Sequence, residues 1–139
     1  MTLIRDDQIQ AAWITSLKAN TALLAEVAAA QIKESQPQTV EFDYPAVRVR
    51  VGPNSPSEDG CPQNITVRIL SYSEDASSQQ VMRIDGIIMQ QYHDKSFTTS
   101  GLGQQMQFTG ISVTSTPAVR QDRRTWRKES VLTMLVSSG

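Results

Sequence analysis

The chain has 139 residues, with 13 Lys and Arg against 14 Asp and Glu, one His, and a formal net charge of −1. That length suits one domain with its own core, and the near-neutral balance argues against free-standing DNA binding, which needs a basic footprint to release counterions. A single cysteine, Cys61, excludes an intrachain disulfide framework, a CxxC redox pair and a multi-cysteine zinc site.

The start, Met1-Thr2-Leu3-Ile4-Arg5-Asp6-Asp7, places two acids after the first apolar pair, so no signal-peptide core forms. No apolar run approaches the roughly 20 residues of a membrane span. The expected location of the newly made chain is the cytoplasm. Asp6 or Asp7 is expected to cap a first helix, whose buried face carries Ile9, Ala12, Trp13 and Leu17. Asn20 interrupts that run and caps a second, short helix through Leu23, Leu24 and Val27. Pro37 ends any helical option before it.

From Pro45 the period changes to two. Val47, Val49 and Val51 alternate with Arg48 and Arg50, which predicts a strand that Gly52-Pro53 stops. Pro53 to Gln63 holds three prolines, a glycine and the acids Glu58 and Asp59, and reads as a loop. A second strand follows, with Ile65, Val67 and Ile69 on one face. Ser73 or Asp75 is expected to cap a helix over Ala76 to Tyr92, its stripe formed by Val81, Ile84, Ile88 and Tyr92. Gly86 inside that helix would be explained by a close packing contact. Asp94 to Gly103 reads as a Ser/Thr/Gly-rich connection. Two long strands are then expected, near Met106 to Ser115 and Thr125 to Val136, joined as an antiparallel hairpin with a long tip over Thr116 to Arg124. In the last strand Trp126, Lys128, Ser130, Leu132, Met134 and Val136 share one face. The expected fold is therefore α+β, a single domain over 1–139, with a mainly antiparallel sheet of about four strands and helices packed on one face.

No combination of residues reads as a catalytic centre, and neither a metal nor a cofactor is expected. His93-Asp94 is the one acid–imidazole neighbour pair, and it fits a helix end, where a cation complements the dipole. Gly101-Leu102-Gly103-Gln104 lacks the third glycine of a dinucleotide fingerprint and precedes a strand. The acid pairs Asp6/Asp7, Glu58/Asp59 and Glu74/Asp75 fall at helix starts or in loops, where capping and solubility explain them. The distinctive cluster is Arg120, Arg123, Arg124, Arg127 and Lys128, diluted by Asp122 and Glu129 at the hairpin tip. It reads as a solvated edge or intrasubunit pairing, or, because the guanidinium fork suits carboxylates, as a docking surface for an acidic partner, with nucleic-acid contact the third reading.

The order of elements resembles the small tail terminator (tail completion) proteins of long-tailed bacteriophages. The resemblance spans the paired N-terminal helices over Ile9 to Val27 and the Tyr44-Pro45-Ala46-Val47-Arg48-Val49 entry to the first strand. It continues through the strand Ile65 to Tyr72 ending in Ser73, the helix through Val81 to Tyr92, and the last strand over Ser130 to Val136. It implies a non-enzymatic virion protein that forms a ring, usually a hexamer, on the finished tail tube. Such a ring stops tube polymerisation and meets a head-side connector or neck protein, while DNA passes its lumen unread. The implied location is the virion, with assembly in the host cytoplasm and no membrane contact. A head-completion or tube protein, or a small ligand-binding domain around His93 or Cys61, are the other readings.

Overall fold

A computed structural model of the chain describes residues 3–34, 44–56, 62–74, 77–120 and 125–138. Helix α1, Asp6–Lys18, begins one residue earlier than the expected caps. Arg5 holds the N-cap position, its backbone N–H donating to Gln8 Oε1 at 3.0 Å, while Asp6 and Asp7 lie in the first turn beside the positive end of the helix dipole. Helix α2, Thr21–Leu24, is capped by Asn20, whose Oδ1 accepts from the Ala22 and Leu23 N–H groups at 3.0 and 3.2 Å. It closes after one turn, short of Val27, and a 3₁₀ turn follows at Ala29–Gln31. Ala28, Ala29 and Ala30 are exposed, so good helix propensity has no buried face to reward it.

The strands are β1 (Ile32–Glu34), β2 (Ala46–Pro56), β3 (Gln63–Ser73), β4 (Phe97–Gly101), β5 (Gln104–Ser115), β6 (Val119–Arg120) and β7 (Trp126–Ser138). Helix α3, Gln79–Tyr92, separates β3 from β4. Ser78, with no side-chain cap bond, precedes it; Ser73 Oγ instead donates to Gln80 Oε1 at 2.6 Å, and Asp75 lies outside the described residues. The expected hairpin of β5 and β7 is present, and β3 pairs antiparallel with the other side of β7, joining the two strand pairs into one sheet.

That sheet is larger than the expected four strands, and it is mixed. Among the described residues it has seven strands in the order β1-β2-β3-β7-β5-β4, with β6 also against β7, and β1 runs parallel to β2. The three added strands are β1, β4 and β6, the last of them inside the expected hairpin tip. Ile32-Lys33-Glu34 is too short to show a period of two. Phe97–Gly101, read as part of a connection, becomes an edge strand because its main chain pairs with Gly101↔Gln104 through Phe97↔Phe108. Gly52-Pro53 does not stop β2. The ladder shifts register between Val51 and Asn54 and resumes to Pro56. A second shift in β5, between Thr109 and Ser112, lies at the same level of the sheet. Such irregularities bend strands and strengthen twist, and here the sheet curls so that both edge strands reach α1.

All three helices pack on one face, over Val47, Val49, Ile65, Val67, Ile69, Leu132, Met134 and Val136. Trp13, fully buried, stands at the junction. Its ring lies 4.6 Å from Tyr92, 5.1 Å from Phe97 and 5.5 Å from Phe108, centroid to centroid, so one side chain joins α1 to α3, β4 and β5. Tilted and edge-on aromatic contacts of this kind add to simple area burial. At the opposite end of α1 the buried Gln63 side chain substitutes for a strand. Its Oε1 accepts from the Ile4 N–H at 2.8 Å and its Nε2 donates to the Ile4 carbonyl at 3.1 Å. Arg48, also buried, donates from one terminal nitrogen to the carbonyls of Gln31 and Val47, at 2.7 and 3.1 Å, and so ties the turn before β1 to β2.

Two glycines make opposite predictions. A Cβ on Gly101 would stand 2.6 Å from the Ala12 nitrogen and 3.1 Å from its Cα, main-chain atoms of α1 that cannot rotate away. Gly101→Ala should cost about 2–3 kcal/mol, seen as a fall of roughly 6–12 °C in Tm. Gly86, by contrast, has nothing within 4 Å of a Cβ, so no close contact explains it. Gly86→Ala should raise stability by about 0.5–1 kcal/mol, measured by urea unfolding. A third prediction concerns Tyr92, which burial pushes from 10.0 up to about 12 against the opposing pull of its 2.8 Å bond with Ser16 Oγ. Below pH 10.0 both folded and unfolded states keep this proton; between there and about pH 12 the unfolded chain releases it first. Stability should therefore fall as pH rises through that window, and urea midpoints of Tyr92→Phe should decline less steeply. An identical slope in the two proteins would remove Tyr92 as the cause.

Candidate partner interface

The hairpin tip grows out of the sheet's two longest strands. β5 ends at Ser115, Pro117 follows, and the chain returns to β7 for two rungs, Val119↔Arg127 and Arg120↔Trp126. These rungs place Arg120 and Arg127 at the surface, both exposed. The Arg120 guanidinium lies 5.4 Å from the Trp126 ring centre, a cation–π contact at the surface. Arg127 is opposite Tyr72 of β3. Burial pushes the Tyr72 hydroxyl up from its ordinary range, and the nearby positive charge of Arg127 pulls it partly back. Arg123 and Arg124 lie outside the described residues.

Lys128 takes a different direction from the arginines. Its side chain is 15% exposed and points to the helix side of the sheet, where Nζ donates to the Thr116 carbonyl at 2.6 Å and stands 3.6 Å from Asp85 Oδ2. Asp85 is buried on α3 and also accepts from Ser115 Oγ at 2.6 Å and from Ser130 Oγ. Thr116 closes the base of the tip. Its N–H donates to the Glu129 carbonyl at 2.9 Å, and its Oγ1 lies within 3.3 Å of the Glu129 N–H. On the outer face Glu129 pairs with Arg68 at 2.6 Å. Of the five basic residues singled out from the sequence, the structure thus places Arg120 and Arg127 at the surface on opposite faces of the hairpin, Arg120 with Trp126 and Arg127 with Tyr72, and holds the Lys128 ammonium inside the subunit. The signal for Lys128 was its place in the alternation with Ser130 and Leu132. The signal for Asp85 was its position four residues after Val81 and three before Ile88, on the buried stripe of α3.

The other candidates resolve into structural roles. His93 follows α3, and its Nδ1 accepts from the Val113 N–H at 3.1 Å, which makes Nε2 the protonated nitrogen of the neutral ring, facing Asp94 Oδ2 at 3.4 Å. The imidazole thereby joins the helix end to β5. Asp7 pairs with Arg5 at 3.0 Å, and Asp6 accepts from Asn54 at 2.8 Å. Gly101 to Gln104 forms the turn between β4 and β5. Cys61, Glu58 and Asp59 lie outside the described residues. No group of three or more His, Cys, Asp or Glu placed to hold a metal occurs among the described residues. A cleft of about 590 Å³ opens between the C-terminal ends of α1 and α3 and strand β4. Its lining is mostly uncharged, with Thr15, Asn20, Gln91 and Thr99 around a single lysine, Lys95. No helix among the described residues is long and apolar enough to cross a membrane.

No protein-family model matches the chain, and no curated protein matches it. Among solved structures, the chain is similar to one chain of the virion of a native gene transfer agent (GTA) particle, with a TM-score of 0.68 and 15% sequence identity. The match covers 95% of this chain and 96% of the other, so it is a likeness of whole folds at nearly equal length.

Proposed function

We propose that this chain is a structural protein of a phage-like virion, and that within it the chain serves as a tail terminator. Several copies form a ring, a hexamer in this reading, seated on the end of the finished tail tube. The ring stops tube growth and offers a joint to the head-side connector, while DNA passes through its lumen. The observation that carries the reading is the end-to-end fold likeness to a chain of a gene transfer agent virion. The element order that resembles tail terminators in the sequence supports the narrower role. A formal charge of −1 suits a passage for DNA, because dense phosphate contacts would hold the DNA in place. The role asks for no chemistry of the chain's own. Arg120 and Arg127, with Arg123 and Arg124 between them in sequence, supply the surface for an acidic partner in the tube or neck.

Solution mass measured by light scattering across a concentration series, with negative-stain images of the same sample, tests this. Closed rings of about six copies are expected. Open tubes would point to a tube protein, and a monomer that also fails to form rings on isolated tail tubes would overturn the ring. For the docking surface, the triple replacement Arg123→Glu, Arg124→Glu and Arg127→Glu should weaken capture by tail tubes or connectors by about tenfold or more, with urea unfolding of the monomer unchanged. Unaltered capture would take the arginines out of the interface.

A further inference from the structure

A carboxylate in the middle of a core-facing helix needs partners, because burying a charge without them is costly. Asp85 is 2% exposed, and its partners among the described residues belong to one neighbourhood, the base of the β5–β7 hairpin. Ser115 is the last residue of β5, Ser130 is its rung partner on β7, and Lys128 is two residues further toward the tip. The lysine passes the connection on, since its ammonium also binds the Thr116 carbonyl, the first residue beyond β5. Among the described residues, Thr116 is also bonded to Glu129, and Arg120 stacks on Trp126. The tip's own pairing is two rungs long, and Val119, Arg120 and Arg127 are exposed.

We infer that Asp85 is a latch: it fastens the root of the hairpin to α3 through Ser115, Ser130 and Lys128, and so holds Thr116 and the two β6–β7 rungs that carry Arg120 and Arg127 in place. Opening it would leave the sheet's central ladder of β2, β3 and β7 in place and loosen Thr116 and the rungs Val119↔Arg127 and Arg120↔Trp126. A surface that is fixed before contact loses less conformational entropy on docking. The docking consequence rests on the reading of this tip as a partner surface; the latch itself does not. Asp85, Ser115, Ser130 and Lys128 are accordingly positioning residues, and the contact with a partner belongs to the exposed arginines.

Backbone amide exchange, followed residue by residue in the intact chain, tests the latch. In Asp85→Asn and in Lys128→Met, the amides of Thr116, Val119 and Arg120 should exchange about tenfold faster or more, while those of Val67 and Ile69 in β3 stay near their wild-type rates. Ile84→Val, on the same helix but outside the cluster, is the control for loss of stability alone and should not favour the tip. If Asp85→Asn does not fold, Ser130→Ala removes one donor and is read in the same way. Tip amides that keep their wild-type rates, or that accelerate only in step with Val67 and Ile69, would overturn the latch. Tail-tube capture by the same variants separates the two ideas. A loosened tip with unchanged capture leaves the latch standing and removes the tip from the interface, whereas a tip that stays tight removes the latch whatever the capture result.

Discussion

The architecture turns on how closely α1 lies against the sheet, and Trp13 and Gly101 set that distance together. Trp13 fills the junction with its ring and touches aromatic side chains from α3, β4 and β5. Gly101, by having no side chain, lets the main chain of β4 come up against Ala12, one position before that tryptophan. A large residue and an absent one are complementary here. The bulk of the indole is accommodated because the neighbouring strand reaches the helix backbone directly. With this contact made, β4 becomes an edge strand of the sheet, and both edges of a curled sheet can close on a single helix. Close packing of this sort tolerates little change in volume.

The elements with a strong period were legible in the sequence. Ile9, Ala12, Trp13 and Leu17 are buried on α1, and Val81, Ile84, Ile88 and Tyr92 on α3, as their spacing implies. Val47 and Val49 face the core from β2, and Leu132, Met134 and Val136 from β7. What escaped was structure made by pairing and not by composition. Phe97-Thr98-Thr99-Ser100-Gly101 looks like a connection, and its partner β5 makes it a strand. Gly52-Pro53 is a strong stop signal in isolation, yet β2 absorbs it as a shift in register because β3 continues alongside. The parallel strand β1 is three residues long and depends on β2 for its existence.

The candidate interface was legible in composition and less so in direction. Five basic residues near one hairpin mark a charged tip whatever the fold. A period of two, applied to Trp126, Lys128 and Ser130, separates the inward lysine from Arg127 beside it, so the distinction was available locally. The partner of that lysine was not, since Asp85 lies 43 positions away and reaches it across the interface of helix and sheet. Sequence separation hides such a contact because nothing in either segment names the other. The same holds for Gln63, whose amide acts as a main-chain group toward Ile4.

Strand β7 has a further consequence, which concerns the order in which the protein is made. Among the described residues it is the strand that bridges the two halves of the sheet, with β3 on one side and β5 on the other, yet it follows every other described element along the chain. During synthesis from the N-terminus, β1 to β3 can assemble as one unit and β4 with β5 as another, each with an inner edge open to solvent. Those two edges are long, rich in β-branched residues, and suited to pairing with each other's copies on neighbouring ribosomes. Insertion of Trp126–Ser138 covers both at once. A newly made chain of this fold can therefore complete its sheet only once Trp126–Ser138 has been synthesised, because both inner edges wait for the same strand.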